Sequence, residues 1–345
     1  MKLHNTVNGE ELKERLKSSE EKRTTISFYK YARIGNPQIF RDHLYTHFSD
    51  VGVLGRVYVA AEGINAQISV PTENLDVFNQ HINDITFLEN IRLNYAVEDD
   101  GKSFFKLAIK VRKKIVADGL EEDIFNITEP AEYLNVERFN EITNNPDTIL
   151  VDMRNHYESE VGHFEGAWCP DVDTFREQLP VVVDELEDKK NKPVVMYCTG
   201  GIRCEKASAY LKYKGFEQVY HLEGGIIKYS RDAEAQGLPN KFIGKNFVFD
   251  ERLNERITPD VIANCHQCGE PFDDHVNCKN KACNLLFIQC PSCAEKYSGC
   301  CSEECQTIAA LPEEEQRALR KGKDSGVRIF SKGRFNKPTP QHQDK

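Results

Sequence analysis

Long apolar runs are missing from this 345-residue chain, and so is an apolar leader at its start. No stretch comes near the roughly 20 consecutive apolar residues that a membrane-spanning helix needs. The first residues, MKLHNTVNGEELKERL, are charged and amphipathic, whereas a secretory signal needs an apolar core. These absences predict a soluble, cytoplasmic protein with no membrane partner. They do not indicate an oligomeric state.

Cysteine is scarce over most of the chain and dense in one segment. Nine of the twelve cysteines fall between Cys265 and Cys305, and the other three are Cys169, Cys198 and Cys204. A secreted disulfide scaffold would be short, whereas clustered cysteines in a long cytosolic chain more often bind metal. The cysteine-rich segment is therefore a candidate metal-binding module.

The order of predicted elements divides the chain into three folded units and a tail. Residues 1–117 show the pattern β-α-β-β-α-β, with Pro71 opening the second helix, which is typical of a ferredoxin-like α+β fold. Residues 131–240 alternate buried strands with helices, as a parallel-sheet α/β domain requires. Residues 241–310 form the cysteine-rich module, and residues 311–345 form a basic tail that we expect to be disordered.

The segment YCTGGIRC places Cys198 directly after a predicted buried strand, PVVMY, and just before a helix that begins near Cys204. Two adjacent glycines, Gly200 and Gly201, let successive backbone N–H groups turn towards one point, and the helix N-terminus adds its positive end. Such an environment lowers a thiol pKa well below the free value of about 8.5. We therefore predict a Cys198 thiolate suited to nucleophilic attack or to carrying a persulfide.

The residues after Cys198 define the size and the redox options of this loop. Arg203 is expected to add positive charge or to anchor the loop, and its spacing from Cys198 is one residue shorter than in cysteine-dependent phosphatases, which suits sulfur better than phosphate. Cys204 could resolve a sulfenic acid or persulfide on Cys198 by forming a disulfide, or it could simply pack the helix. The loop residues between Cys198 and Arg203 are Thr199, Gly200, Gly201 and Ile202.

Four segments resemble the successive signatures of rhodanese domains and occur in the same order. They are VDMR (Val151–Arg154), GHFEGA (Gly162–Ala167), MYCTGGIR (Met196–Arg203) and HLEGGI (His221–Ile226). The resemblance implies a catalytic group of Cys198, Arg203 and Asp152, in which Asp152 supports the active-site loop. Many rhodaneses have an aromatic residue where this chain has Ile226.

A wider resemblance runs from about residue 20 to residue 310. The segments RTTISFYKY, GRVYVAAEGINAQ, GKNFVFDERL and FIQCPSCAEKYSGCCSEEC, together with the Cys198 loop, are similar to those of the bacterial tRNA uridine hydroxylase family. The resemblance implies oxygen-dependent hydroxylation of the wobble uridine, uridine 34, to 5-hydroxyuridine. Molecular oxygen would be the co-substrate and a tRNA anticodon stem-loop the partner, with no nucleotide cofactor evident. The residues alone indicate only thiolate or persulfide chemistry, so a sulfurtransferase and a non-catalytic docking module stay open.

The cysteine-rich module has spacings typical of zinc sites. Two CxxC pairs about twenty residues apart can each supply two of the four ligands of a tetrahedral ion. The remaining cysteines could form a second, interleaved site, and both zinc ions would be structural. Cys300 and Cys301 cannot both be ligands of one ion, so one of them is not a ligand. An iron–sulfur cluster and a set of redox disulfides are the alternatives. The predicted ligands are Cys265, Cys268, Cys278, Cys283, Cys290, Cys293, Cys300 and Cys305.

Basic residues concentrate in two places within a chain of net charge −10. One is the predicted strand Phe105–Val111 and its end, where Lys106, Lys110 and Arg112 share a face; the other is the tail from Arg317 onward. Charge runs of this kind are usually solvated faces. An acidic protein that binds tRNA nevertheless needs a localised cationic track, and we predict that the three residues of the strand contact RNA.

Overall fold

The computed structural model describes residues 3–121, 125, 127, 130–320 and 335. The helices are α1 (Gly9–Ser18), α2 (Pro37–Asp50), α3 (Leu75–Asp84), α4 (Val136–Ile142), α5 (His156–Ser159), α6 (Phe175–Glu185), α7 (Ile202–Tyr213), α8 (Gly225–Gln236), α9 (Pro291–Lys296), α10 (Glu303–Ala309) and α11 (Glu313–Arg320). The strands are β1 (Arg23–Tyr31), β2 (Leu54–Ala60), β3 (Gly63–Pro71), β4 (Asn94–Tyr95), β5 (Leu107–Val111), β6 (Glu132–Leu134), β7 (Ile149–Asp152), β8 (Gly162–Phe164), β9 (Pro193–Tyr197), β10 (Gln218–Leu222), β11 (Phe242–Phe247), β12 (Asn254–Arg256), β13 (His275–Asn277) and β14 (Leu286–Ile288). Within these described ranges, no helix is both long and apolar enough to cross a membrane.

The first sheet has five strands in the order β4-β1-β3-β2-β5. Strand β3 pairs antiparallel with both β1 and β2, β4 pairs antiparallel with β1, and β5 joins the edge parallel to β2. The order of the first four strands is that of a ferredoxin-like fold, and the predicted fold class is confirmed. Pro71, predicted to open a helix, is both the last residue of β3 and the N-cap of a 3-10 turn, Thr72–Asn74, that leads directly into α3.

Helices α2 and α3 cover one face of this sheet. Phe28 of β1 packs against Phe78 of α3, and Phe78 also packs against Phe48 of α2. Because successive side chains of a strand point to opposite faces, Ser27 and Tyr29 lie on the other face of β1. We call this second face the open face of the first sheet. It is turned towards the second unit of the chain.

The second unit is built on a four-stranded sheet in the order β6-β10-β9-β7. All three pairings are parallel, which confirms the predicted parallel-sheet α/β domain. Helices α6 and α7 pack on one face of the sheet and helices α4 and α8 on the other. Strand β9 lies in the interior of the sheet, so its carboxyl end opens at the centre of one sheet edge.

The segment after the parallel sheet folds back onto it before the cysteines begin. Strand β11 pairs antiparallel with β8 of the second unit and with β12, so strands from both sides of residue 240 share one small sheet. Strands β13 and β14 then form a hairpin among the cysteines. Helix α11 occupies residues 313–320, so the predicted disorder of residues 311–345 is wrong for that stretch. Most of the remaining tail lies outside the described residues.

Candidate functional site

Cys198 follows the last residue of β9 and lies at the carboxyl end of the parallel sheet. Helix α7 begins four residues later, and Gly201 at its N-cap has a φ of 100°, a left-handed conformation that favours glycine. The Gly201 N–H donates a hydrogen bond to the Cys198 sulfur over 3.2 Å. The glycine-rich loop thus directs backbone donors at the sulfur, as its sequence predicts.

The Cys198 side chain is buried, with an exposed fraction of 1%. Burial by itself would raise the pKa of this thiol. A hydrogen bond from the Cys204 thiol, the charge of Arg203 and the backbone N–H groups of residues 203 and 204 outweigh burial and lower the pKa of Cys198 to about 5. Burial and the bond to Cys198 raise the pKa of Cys204 well above its usual value. At neutral pH the pair therefore holds a thiolate at Cys198 and a neutral donor at Cys204.

Arg203 is anchored by a carboxylate that the Cys198 loop motif does not contain. Its two terminal nitrogens donate to the two carboxylate oxygens of Glu158 over 2.6 and 2.7 Å, and both side chains are buried. Glu158 also accepts from the Asn155 backbone N–H in a capping box at the start of α5. A bidentate pair of this kind fixes the guanidinium in the loop while its charge still acts on the sulfur. The only sequence signal for Glu158 is its place in the segment RNHYESE.

Asp152 lies at the end of β7, beside the base of the loop. Its fully buried carboxylate accepts from the Arg154 side chain over 2.7 to 3.1 Å, contacts the Tyr197 hydroxyl and lies 4.0 Å from the Cys169 sulfur. These contacts brace the end of β9, which immediately precedes Cys198. Asp152 is placed to support the loop rather than to touch a reacting atom.

The turn at Gly224 and Gly225 closes the other side of the loop. The Ile226 N–H donates to the Cys198 carbonyl over 3.0 Å. A Cβ on Gly225 would lie 2.4 Å from that carbonyl oxygen, so only glycine permits this approach. Ile226 is fully buried in the core under α8, so it packs the sheet and does not form an outer pocket wall.

The open face of the first sheet lies directly over the Cys198 loop. The Tyr29 hydroxyl donates to the Glu205 carboxylate over 2.7 Å, the Tyr31 hydroxyl to the Ile202 carbonyl over 3.2 Å, and the Asn94 side-chain amide to the Gly200 carbonyl over 3.3 Å. These contacts join segments more than 100 positions apart, so no local pattern predicts them. They make the first unit the roof of the thiolate site.

The predicted RNA-binding residues lie on this same open face or at its edge. Leu107 and Ile109 of β5 belong to the core beneath α2, so Lys106 and Lys110 point to the opposite face. Lys110 is exposed, whereas Lys106 is half-buried. Arg112, just beyond β5, is exposed too. Its backbone N–H donates to the Val59 carbonyl and so extends the pairing of β5 with β2 by one residue.

One row of side chains crosses the open face from the loop to this cationic edge. The strand register places Tyr29 opposite Asn65, Asn65 opposite Tyr58, and Tyr58 opposite Lys110. The Arg112 guanidinium lies 5.4 Å from the centre of the Tyr58 ring. A polar and aromatic surface with cations at its far end therefore begins at the Cys198 site.

The nine clustered cysteines form two groups of four with one left over. Within each group the sulfurs all lie within 4.8 Å of one another, and all twelve cysteines of the chain are free of disulfides. The first group is Cys265, Cys268, Cys290 and Cys293, and the second is Cys278, Cys283, Cys301 and Cys305. The groups are interleaved along the chain, as the spacing predicts.

The geometry of both groups suits a tetrahedral ion. Sulfurs about 2.3 Å from a zinc ion are about 3.8 Å apart. The Cys268 and Cys290 sulfurs are 3.6 Å apart, as are those of Cys283 and Cys301. The prediction that Cys300 is a ligand needs correction. Its thiol lies against the Ser298 carbonyl at 3.9 Å and is outside the second group, where Cys301 takes its place.

Comparison with known proteins finds relatives that match nearly the whole length of the chain. Three family models match it: "UPF0176 acylphosphatase like domain" over residues 23–115, "Rhodanese-like domain" over residues 135–232 and "Rhodanase C-terminal" over residues 243–306. A protein of Photorhabdus laumondii named tRNA uridine(34) hydroxylase is 58% identical over 333 residues, which cover 96% of this chain and 95% of the relative. Proteins of the same name from Pectobacterium atrosepticum and Yersinia enterocolitica are 59% and 57% identical; they cover 96% and 99% of this chain, and the matches span 94% and 97% of the relatives.

Proposed function

Because this chain belongs to the tRNA uridine(34) hydroxylase family, we propose that it hydroxylates the wobble uridine of tRNA at a site built around Cys198. The observation that carries this proposal is the buried Cys198 thiolate, whose pKa of about 5 keeps it ionised at neutral pH. An activated sulfur of this kind can attack an electron-poor ring carbon or be oxidised. We take molecular oxygen as the co-substrate and 5-hydroxyuridine as the product. One oxygen atom enters the base and the other leaves as water, for which the thiols of Cys198 and Cys204 can supply the two electrons by forming a disulfide.

The residues of the loop have separate roles in this proposal. Cys198 is the reacting group, and Arg203, held by Glu158, stabilises its negative charge. Cys204 donates a hydrogen bond to the thiolate and is the neighbour with which Cys198 can form a disulfide after oxidation. Asp152 supports the strand end.

The position of the thiolate beneath the first sheet supports a base in a loop as the substrate. A base reaches a buried sulfur only when it is splayed out of its stack and the roof residues Tyr29 and Asn94 admit it. Bases of a single-stranded anticodon loop can be extruded at low cost, unlike those of a duplex. We therefore propose that the anticodon stem-loop is the recognised element and that free uridine is a poor substrate.

The cationic edge of the open face provides the proposed phosphate track. Lys110 and Arg112 are exposed there, and Lys106 flanks them. The row from Tyr29 to Tyr58 would let the base enter at the loop while the neighbouring backbone runs towards these cations. Aromatic rings beside arginine suit stacked, single-stranded nucleotides. Arg112 on Tyr58 adds such a pair, which comes from two different segments of the chain and is not visible in the sequence.

Nucleoside mass analysis of bulk tRNA tests the reaction directly. Cells lacking this protein should lose the hydroxyl on uridine 34, and the wild-type gene should restore it. Cys198→Ser should fail to restore it, because a hydroxyl in that environment remains protonated. Cys300→Ser is the matched control, since this buried thiol lies outside the Cys198 loop and outside both groups of four cysteines.

Three outcomes would replace the proposal. Full restoration by Cys198→Ser would remove Cys198 from the chemistry. Loss of sulfur rather than oxygen from the wobble uridine, with efficient sulfur transfer from thiosulfate by the purified protein, would make it a sulfurtransferase. An unchanged nucleoside profile in the deletion cells would favour a docking module.

We further propose that each group of four cysteines holds a structural zinc ion. The Cys290 N–H donates to the Cys265 sulfur over 3.3 Å, and the Cys301 N–H to the Cys278 sulfur over 3.4 Å, which is how thiolate ligands are stabilised. The four-sulfur sets leave no open position for a substrate. Stoichiometric iron with visible absorbance would instead indicate iron–sulfur clusters.

A further inference from the structure

Three histidines meet on the outer surface of the first unit. His43 and His47 are one turn apart on α2, and His81 lies on the neighbouring helix α3. Their ring centres are 4.0 to 5.3 Å apart, and one nitrogen of each ring lies within 4.8 Å of the other two. Side chains four residues apart on a helix share a face, so the backbone holds two of these rings side by side.

The His81 ring has a nitrogen atom whose hydrogen-bonding capacity is unused among the described residues. The Nε2 atom of His81 is buried, yet it has no hydrogen-bond partner among the described residues. A buried polar atom without a partner is unfavourable. Protonation of all three rings would not stabilise the cluster, because three positive charges would repel one another at these distances. His43 and His47 are exposed, so an ion can enter from solvent.

We propose that His43, His47 and His81 bind one divalent cation of the zinc class and so link α2 to α3. Neutral imidazole is a good ligand for zinc, nickel, copper and cobalt, and three histidines leave a fourth position for water. The group lies on the helix-covered side of the first sheet, whereas Tyr29 and the Cys198 loop lie on its open face. The ion is therefore separate from the thiolate site and from both cysteine groups.

Cobalt titration of the full-length protein tests this site, after two zinc ions per chain have been bound to the cysteine groups and excess zinc has been removed by dialysis. Zinc is retained by the cysteines, because zinc binds such sites more tightly than cobalt. We expect one further Co²⁺ per chain, with visible d–d bands but without the near-ultraviolet charge-transfer band of a thiolate ligand. Calorimetry gives its affinity, and the thermal transition should rise as Co²⁺ is added.

His47→Gln should weaken this binding by at least about tenfold, since losing even an outer-shell partner of a ligand costs about 10- to 100-fold. The exposed ring of His47 can be replaced without disturbing the core. His4→Gln removes another exposed histidine and should leave the affinity unchanged. Equal Co²⁺ affinity in the His47→Gln and unaltered proteins would overturn the proposal. So would the absence of a further Co²⁺ or the appearance of a thiolate charge-transfer band.

Discussion

The hydrogen bond from Cys204 to Cys198 can be isolated by two substitutions at one position. Cys204→Ala removes the donor, and Cys204→Ser keeps a donor of similar size. Hydrogen bonds to charged groups contribute about 1.5–3 kcal/mol. Because one pKa unit corresponds to about 1.4 kcal/mol, Cys204→Ala should raise the pKa of Cys198 by about 1–2 units above its present value of about 5. Cys204→Ser should leave it nearly unchanged.

The pKa can be read from the pH dependence of alkylation at this one residue. Iodoacetamide reacts with the thiolate, so the rate should fall as pH drops through the pKa and level off above it. Mass spectrometry of the peptide carrying Cys198 separates its alkylation from that of the other cysteines. Burial slows the reaction at every pH but does not move the midpoint, provided that access itself does not change with pH. The unaltered protein should show a midpoint near pH 5.

The two variants together separate two roles of Cys204. An alanine variant with an unshifted midpoint, or a serine variant that shifts as far as alanine, would refute the hydrogen-bond argument. If serine restores both the midpoint and tRNA hydroxylation, Cys204 acts by positioning charge. If it restores the midpoint while hydroxylation stays lost, the two cysteines act as a redox pair.

Three other outcomes follow from the contacts described above. In filter binding, Lys110→Glu should weaken tRNA binding and reduce the slope of log affinity against log salt by about one. The control is Lys192→Glu, at the opposite end of β9 from the thiolate, which should change neither the affinity nor the slope. Cys301→Ala should lower the zinc content by about one ion per chain in elemental analysis, and Cys300→Ala should leave it intact. Glu158→Gln leaves a buried guanidinium without its charged partner, which should lower the free energy of unfolding by about 3–5 kcal/mol in urea titrations; a loss below about 1 kcal/mol would contradict that assignment.

Hydrophobic periodicity predicts most of the fold because the apolar faces of the strands and helices recur at regular spacing. The four strands of the ferredoxin-like unit and the parallel sheet are of this kind. Pro71 shows why such reasoning leaves element boundaries open. Its fixed φ suits both a first helical turn and an extended strand end. In the structure it serves as both, since it ends β3 and caps the 3-10 turn Thr72–Asn74 that leads into α3.

The candidate site is predictable only where it is local in sequence. Cys198 and Arg203 share one loop, so a single motif identifies both. Glu158 and Tyr29 reach that loop from distant segments, and only packing brings them there. Sequence spacing also cannot choose between two adjacent cysteines.

The choice between Cys300 and Cys301 depends on the turn before them. Gly299 adopts a φ of 73°, and the chain then directs the Cys301 N–H at the Cys278 sulfur. Cys300 is left facing the core beside Phe287. The conformation of one glycine thus decides which sulfur joins the second group.

The interleaving of the two cysteine groups has a consequence for how an ion bound there would leave. If the chain frays from its C-terminal side, Cys301 and Cys305 are released first, but their partners Cys278 and Cys283 remain inside the loop closed by the first group. Fraying from the other side leaves the second pair of the first group inside the loop closed by the second group. In either case the two released cysteines stay tethered near the two that still hold the ion, at a high effective concentration. Rebinding of these cysteines to the ion therefore competes with loss of the ion. An external chelator should therefore extract the two ions together and slowly, not one after the other from an unravelling end.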